Sequence, residues 1–103
     1  MESAEQKILS VARQVRAKFP KGKNKGSCLT ASHELMEKLL DHGFNASIQF
    51  GWFDGKDHSW TEVMVPGEQR MRLLDITVDQ FGDYPAILWS TPKEHPEYVY
   101  DTR

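Results

Sequence analysis

The sequence predicts an α+β fold in which N-terminal helices pack on an antiparallel sheet. Apolar residues recur at helical spacing over residues 3 to 42 and then alternate with period two from residue 45 onward. Short glycine- and proline-bearing turns separate the alternating runs, as in hairpins. At 103 residues the chain makes one domain, 1–103, with one modest core. Its 39% hydrophobic and 11% aromatic content is that of a globular chain, not a disordered one. A net charge of -2 gives no general attraction to nucleic acid or to an anionic membrane. There is no apolar run of bilayer length and no signal-peptide pattern. A single cysteine cannot close an internal disulfide, so a reducing compartment, the cytoplasm, is expected.

Residues 3 to 19 read as the first helix. Ile8, Val11, Ala12, Val15 and Phe19 form one apolar stripe, Ser3 with Gln6 resembles a capping box, and Pro20 ends the segment. Residues 20 to 27, PKGKNKGS, are a loop, and with Lys18 they make the most basic stretch of the chain. Lys21, Lys23 and Lys25 are either solvated or a positive rim that draws an acidic substrate and depresses the Cys28 pKa. Residues 28 to 42 are the second helix, with Ser27 as N-cap and Gly43 as C-cap. Cys28, Ala31, Leu35 and Leu39 share its inner face, with Met36 and Leu40 beside them; His33 lies off that stripe and is exposed.

Strands are expected at Asn45 to Gly51, His58 to Val65 and Met71 to Val78. Trp52 to Asp57 is a turn with Asp54-Gly55 at its tip, and Pro66 to Gln69 closes a hairpin. DQFGDYP is a loop, Ala86 to Trp89 an edge or return strand, and Tyr98 to Tyr100 a terminal strand.

Three residues of this layout carry chemistry. Cys28 opens a helix, where unpaired backbone N–H groups favour thiolate over thiol and stabilise an oxyanion. A nucleophile needs a base and the base an orienting group; His58 and Asp75 are the candidates. With a four-residue hairpin loop, paired positions sum to 135, Trp60 faces Asp75, and His58 and Asp75 become diagonal neighbours on one sheet face, roughly 7–8 Å apart at Cβ or closer. A five-residue loop reverses the parity and separates them. Each residue also has a plain role. Cys28 suits a core, His58 a strand end and Asp75 a turn cap.

Gly26-Ser27-Cys28, His58-Ser59-Trp60 and Leu74-Asp75, in that order, resemble the transglutaminase-like branch of the papain-like cysteine enzymes. The likeness covers about residues 20 to 82 and extends to small bacterial members, including leader peptidases of peptide-maturation systems. It implies a papain-like core in which Cys28 thiolate attacks a carbonyl or carboxamide to give a thioester. Water as acceptor then gives hydrolysis or deamidation, and an amine gives transamidation. His58 and Asp75 complete the catalytic set, and no cofactor is implied. Leu29 departs from the tryptophan of many transglutaminases. No glutamine precedes Cys28 for the oxyanion, so Asn24, Gln80 or the Cys28 backbone N–H must take that part. The short chain implies a cleft that is shallow or completed by a partner protein.

A peptide or protein substrate is therefore expected. The alternative is a catalytically silent module that keeps the fold and binds peptide along Trp52, Phe53, Trp60, Phe81 and Trp89, unless these only pack the core and hairpin. A metal site from Cys28, His33, His58 and Asp75 lacks any close ligand pair such as CxxC or HxxxH.

Overall fold

Both helical stretches form helices, and their ends show why. In the computed structural model, which describes residues 2–22 and 26–102, α1 spans Ala4–Arg16 and α2 spans Cys28–Asp41. The α1 capping box is complete: Ser3 Oγ accepts the Gln6 N–H at 3.1 Å and Gln6 Oε1 accepts the Ser3 N–H at 2.8 Å. The helix stops short of residue 19 because Lys18 and Phe19 donate three residues back, to Val15 and Arg16, in tight turns before Pro20. At the end of α2, Gly43 at φ +87° donates to the Leu40 carbonyl and Phe44 to that of Leu39, a Schellman closure. Ser27 stands at the N-cap of α2, but its side chain makes no capping bond, which corrects the expected cap.

The sheet has five antiparallel strands: β1 (Ala46–Phe53), β2 (Lys56–Met64), β3 (Met71–Asp75), β4 (Leu88–Ser90) and β5 (Tyr98–Tyr100), in the order β4-β3-β2-β1-β5. The turn expected over residues 52–57 is tighter. Only Asp54 and Gly55, both at positive φ, lie outside the strands, as a two-residue hairpin requires. Met64 pairs with Met71 and Thr61 with Leu74, so paired positions of β2 and β3 sum to 135. On the far edge β5 approaches β1 so closely that a Cβ on Gly51 would sit 1.9 Å from the Val99 carbonyl oxygen.

Each face of the sheet buries its own core. The helices cover one face, where Ile8, Val11, Leu35, Leu39, Val63 and Leu74 meet. On the other, Phe53, Trp60, Leu73, Val78 and Tyr98 pack together with Phe81 and Tyr100. β2 is thus buried on both sides, so its polar residues His58, Ser59, Thr61 and Glu62 must be hydrogen-bonded or strained for want of it.

β3 ends at Asp75, three residues earlier than its apolar pattern suggests. The cause lies 60 residues upstream: the buried Arg16 side chain donates Nη1 to the Ile76 carbonyl at 2.8 Å, to Asp79 Oδ1 at 2.9 Å and to the Ala86 carbonyl at 2.9 Å, while Nη2 meets Asp79 Oδ2 at 2.6 Å. These bonds draw the chain off the ladder and fold Val78–Phe81, expected as loop, into a turn of 3-10 helix. β2 runs on past the end of β3, and the start of α2 meets it there.

Candidate active site

Two bonds fasten α2 to β2 and so fix where its first residue sits. Thr61 Oγ1 donates to the Ser32 carbonyl at 3.1 Å, and Ser32 Oγ donates to the Ser59 carbonyl at 3.3 Å. Cys28 lies one helical turn before Ser32 on the same face, partly exposed, at the His58–Ser59 end of β2.

His58 and Asp75 meet as the hairpin parity requires. Their side chains are 0% exposed, and His58 Nε2 lies 2.7 Å from Asp75 Oδ2. The carboxylate is fully engaged: Oδ2 also accepts from the Tyr98 hydroxyl at 2.7 Å, and Oδ1 accepts from the Thr77 N–H at 2.9 Å and, more weakly, from Thr77 Oγ1 at 3.4 Å. Tyr98 is a site residue that sequence spacing does not reveal, since it comes from β5 on the far edge. Burial and the neighbouring Asp75 charge push its phenol pKa well above the ordinary range, so it stays a donor.

The imidazole stands in an aromatic box. Phe81 meets it edge-on at 4.9 Å between ring centroids and Trp60 lies nearly parallel at 5.9 Å, with Phe53 and Tyr98 at 6.2 Å. The box excludes water and offers ring faces to a cation. Burial alone would hold imidazole neutral, but the Asp75 hydrogen bond, the adjoining Cys28 and both their charges outweigh it and raise the His58 pKa from 6.5 to about 9.

The other nitrogen, Nδ1, is buried and has no hydrogen-bond partner, although Cys28 and His58 act on each other electrostatically. The contact is therefore looser than a closed hydrogen bond, yet each group shifts the other. Interaction with His58, opposed by burial and aided by Ser59, lowers the Cys28 pKa from 9.0 to about 7. Because the thiol titrates below the imidazole, the pair is thiolate and imidazolium between about 7 and about 9.

Gln80 reaches the same place from the 3-10 turn. Its Oε1 accepts the Gly26 N–H at 3.2 Å, which fixes the amide orientation and leaves Nε2 buried without a partner. Asn24, the other side-chain oxyanion candidate, lies outside the described residues, as do Lys23 and Lys25 of the basic rim.

Trp60 is placed otherwise than a substrate surface needs, and the structure corrects that expectation for this residue; Trp52 and Trp89 are half-buried. Trp60 is 0% exposed and walls the His58 box, so it has no surface for a substrate to touch. Trp89 packs against the helical core, donates Nε1 to Glu5 Oε1 at 2.6 Å and lies under the Arg72 guanidinium. Phe53 is core as well. His33 pairs with Glu37 on the outer side of α2, away from His58 and Asp75, and no cluster of three metal-ligating side chains occurs among the described residues. A cavity of about 510 Å³ opens at the other end of the sheet, beside Glu62, Arg70 and Lys93, and does not include Cys28. Reactive groups converge at Cys28 and not there, so chemistry and not volume marks the candidate site.

Comparison of the chain with protein-family models, with curated proteins and with solved structures gave no match. Among the described residues no helix is long and apolar enough to cross a membrane.

Proposed function

We propose that this protein is a thiol hydrolase with a papain-like, transglutaminase-like core, acting in the cytoplasm on peptide or glutamine amides through Cys28, His58 and Asp75. The observation that carries the reading is the chain of contacts from a partly exposed helix-opening thiol through a buried imidazole to a carboxylate 2.7 Å away. A structural histidine gains little from a raised pKa, whereas a nucleophile gains a thiolate near neutrality.

The chemistry follows from the positions. Thiolate Sγ attacks the amide carbon, forming C–S, and the carbonyl oxygen takes up negative charge. The unpaired N–H groups of the first turn of α2 and Gln80 Nε2 are the donors for that oxyanion. His58 gives its proton to the leaving nitrogen as C–N breaks, leaving a thioester. Neutral His58 then takes one proton from water, whose oxygen attacks the thioester; C–S breaks to release the thiolate and a carboxylic acid that gives its remaining proton to solvent, with imidazolium restored. Asp75, held by Tyr98 and Thr77, keeps the ring oriented through both steps.

The test is trapping with a cysteine-directed electrophilic probe in wild type and His58→Ala, together with assays of ammonia release and backbone cleavage on glutamine-containing peptides. Rapid labelling of Cys28 that is lost in His58→Ala, with turnover of one amide class, is expected. Slow labelling, equal in both proteins, would instead identify a silent binding module.

A further inference from the structure

Ser59 stands beside Cys28 with two hydrogen-bond donors that the fold does not use. Its residue is 3% exposed and its hydroxyl has no hydrogen-bond partner. Its backbone N–H is set aside by the sheet. Met64 donates its N–H to the Asn45 carbonyl, so even-numbered residues of β2 turn their backbone groups toward β1 and odd-numbered ones toward β3. The ladder holds through Thr61 and Leu74, and one step further Ser59 would meet Ile76, where β3 has already ended. Arg16 takes the Ile76 carbonyl instead. The Ser59 carbonyl has its own donor in Ser32 Oγ, which leaves the N–H and the hydroxyl on the side where Cys28 sits.

We propose that Ser59 is the second anchor of the Cys28 sulfur, its N–H and hydroxyl both donating to Sγ once the thiol has lost its proton to solvent beside the already charged His58. The inference rests on the thiol-enzyme reading and adds a residue to it. A thiol sulfur is a weak acceptor and a thiolate a strong one. A buried hydroxyl without an acceptor is costly, so its retention here makes physical sense if the acceptor appears in the working state. Only the S–H bond breaks in this step, and Ser59 keeps both its protons. Among the described residues the charged group that acts on the sulfur is His58 on β2, with Asp75 of β3 behind it. Ser59 adds neutral donors to that set, so it stabilises the thiolate without competing for the proton.

The experiment is the iodoacetamide rate against pH for the full chain as wild type, Ser59→Ala and His58→Ala. Ser59→Ala keeps the N–H and loses the hydroxyl. Its midpoint should rise by about one unit, giving about a tenfold slower reaction at pH 6, with an unchanged plateau above the midpoint. Its melting temperature at pH 5 should not fall, because the deleted hydroxyl has no partner in the thiol form. In the wild type, the Ser59 amide proton resonance should move downfield through the Cys28 midpoint and stay still over that range in Cys28→Ala. A depressed wild-type midpoint that Ser59→Ala leaves unchanged, with a static amide, would overturn the role of Ser59 and leave the enzyme reading standing. A wild-type midpoint at the ordinary thiol value would overturn both.

Discussion

Arg16 Nη1 holds the Ile76 carbonyl at 2.8 Å and so takes from the sheet the acceptor that Ser59 would otherwise meet. One guanidinium from the first helix thus ends β3, folds the turn that carries Gln80, and opens the place on β2 where the second helix sets its cysteine.

That guanidinium is expected to be hard to replace. Arg16→Leu removes the cation from Asp79, whose side chain is nearly fully buried, and breaking such a pair costs about 3–5 kcal/mol. For a domain of this size that is a fall in melting temperature of roughly 12 °C or more. The double variant Arg16→Leu/Asp79→Leu should lose less, since no buried charge stays behind. Thermal melts of the three proteins decide it, and a single variant as stable as wild type refutes the account.

Reaction rate should be bell-shaped in pH. Activity rises as Cys28 loses its proton through about 7 and declines as His58 loses its proton through about 9. Stability has two opposed parts. His58, raised in the folded state, contributes stability that is complete below about 6.5 and is lost as pH climbs through about 9. Cys28, lowered, contributes stability that is present above about 9 and is lost as pH falls through about 7. Urea midpoints of Cys28→Ala should therefore decline from pH 6.5 upward, while thiolate formation offsets that decline in wild type. Parallel pH profiles for the two proteins would refute the coupling.

Asp75→Asn should fold and be nearly inert. An amide has one accepting oxygen where the carboxylate has two, so it cannot serve His58 and Tyr98 on one side and the Thr77 N–H on the other, and with its NH2 toward His58 it favours the wrong imidazole tautomer. The corresponding change in a serine triad costs on the order of 10⁴ in turnover. Alkylation rate per folded molecule is the readout, with wild-type reactivity in a folded Asp75→Asn protein reducing the site to Cys28 and His58.

Gln80→Ala should separate thiol activation from oxyanion binding. Removing one such donor lowers turnover by about 10² to 10³, while the pH dependence of Cys28 alkylation should stay where it is. If turnover is unchanged, the oxyanion is held by the helix N–H groups alone.

The register between β2 and β3 was legible as one of two parities: a four-residue loop over Pro66 to Gln69 makes paired positions sum to 135, as they do, and brings His58 to Asp75, whereas a five-residue loop fitted the same residues and would have parted them. Residues acting across long sequence separations were not. Tyr98 reaches Asp75 from a strand that joins the opposite edge, and Arg16 cuts β3 short from 60 residues away. Local apolar pattern contains neither fact. The alternation also put Trp60 on the His58 face correctly but did not say what covers that face, so a wall of the histidine box read as substrate surface. The uncapped Ser27 belongs to the same class, because a good capping residue was present and the geometry left it unused.

The close approach of Val99 to Gly51 sets an order of events in time. Helices and the β1–β2 hairpin form from near neighbours in sequence, whereas β5 must find β1 from about fifty residues away, and distant pairings come late. Until it docks, Asp75 has no Tyr98 hydroxyl and the His58 ring lies open on one side. A refolding chain should regain helical signal first and thiol reactivity at pH 7 afterwards. Gly51→Ala, whose methyl meets backbone, should lengthen that lag, and simultaneous recovery of both signals would refute it. On this account the Cys28 thiol should reach its full reactivity last, after the chain has buried the surfaces on which it could react with its own unfinished copies.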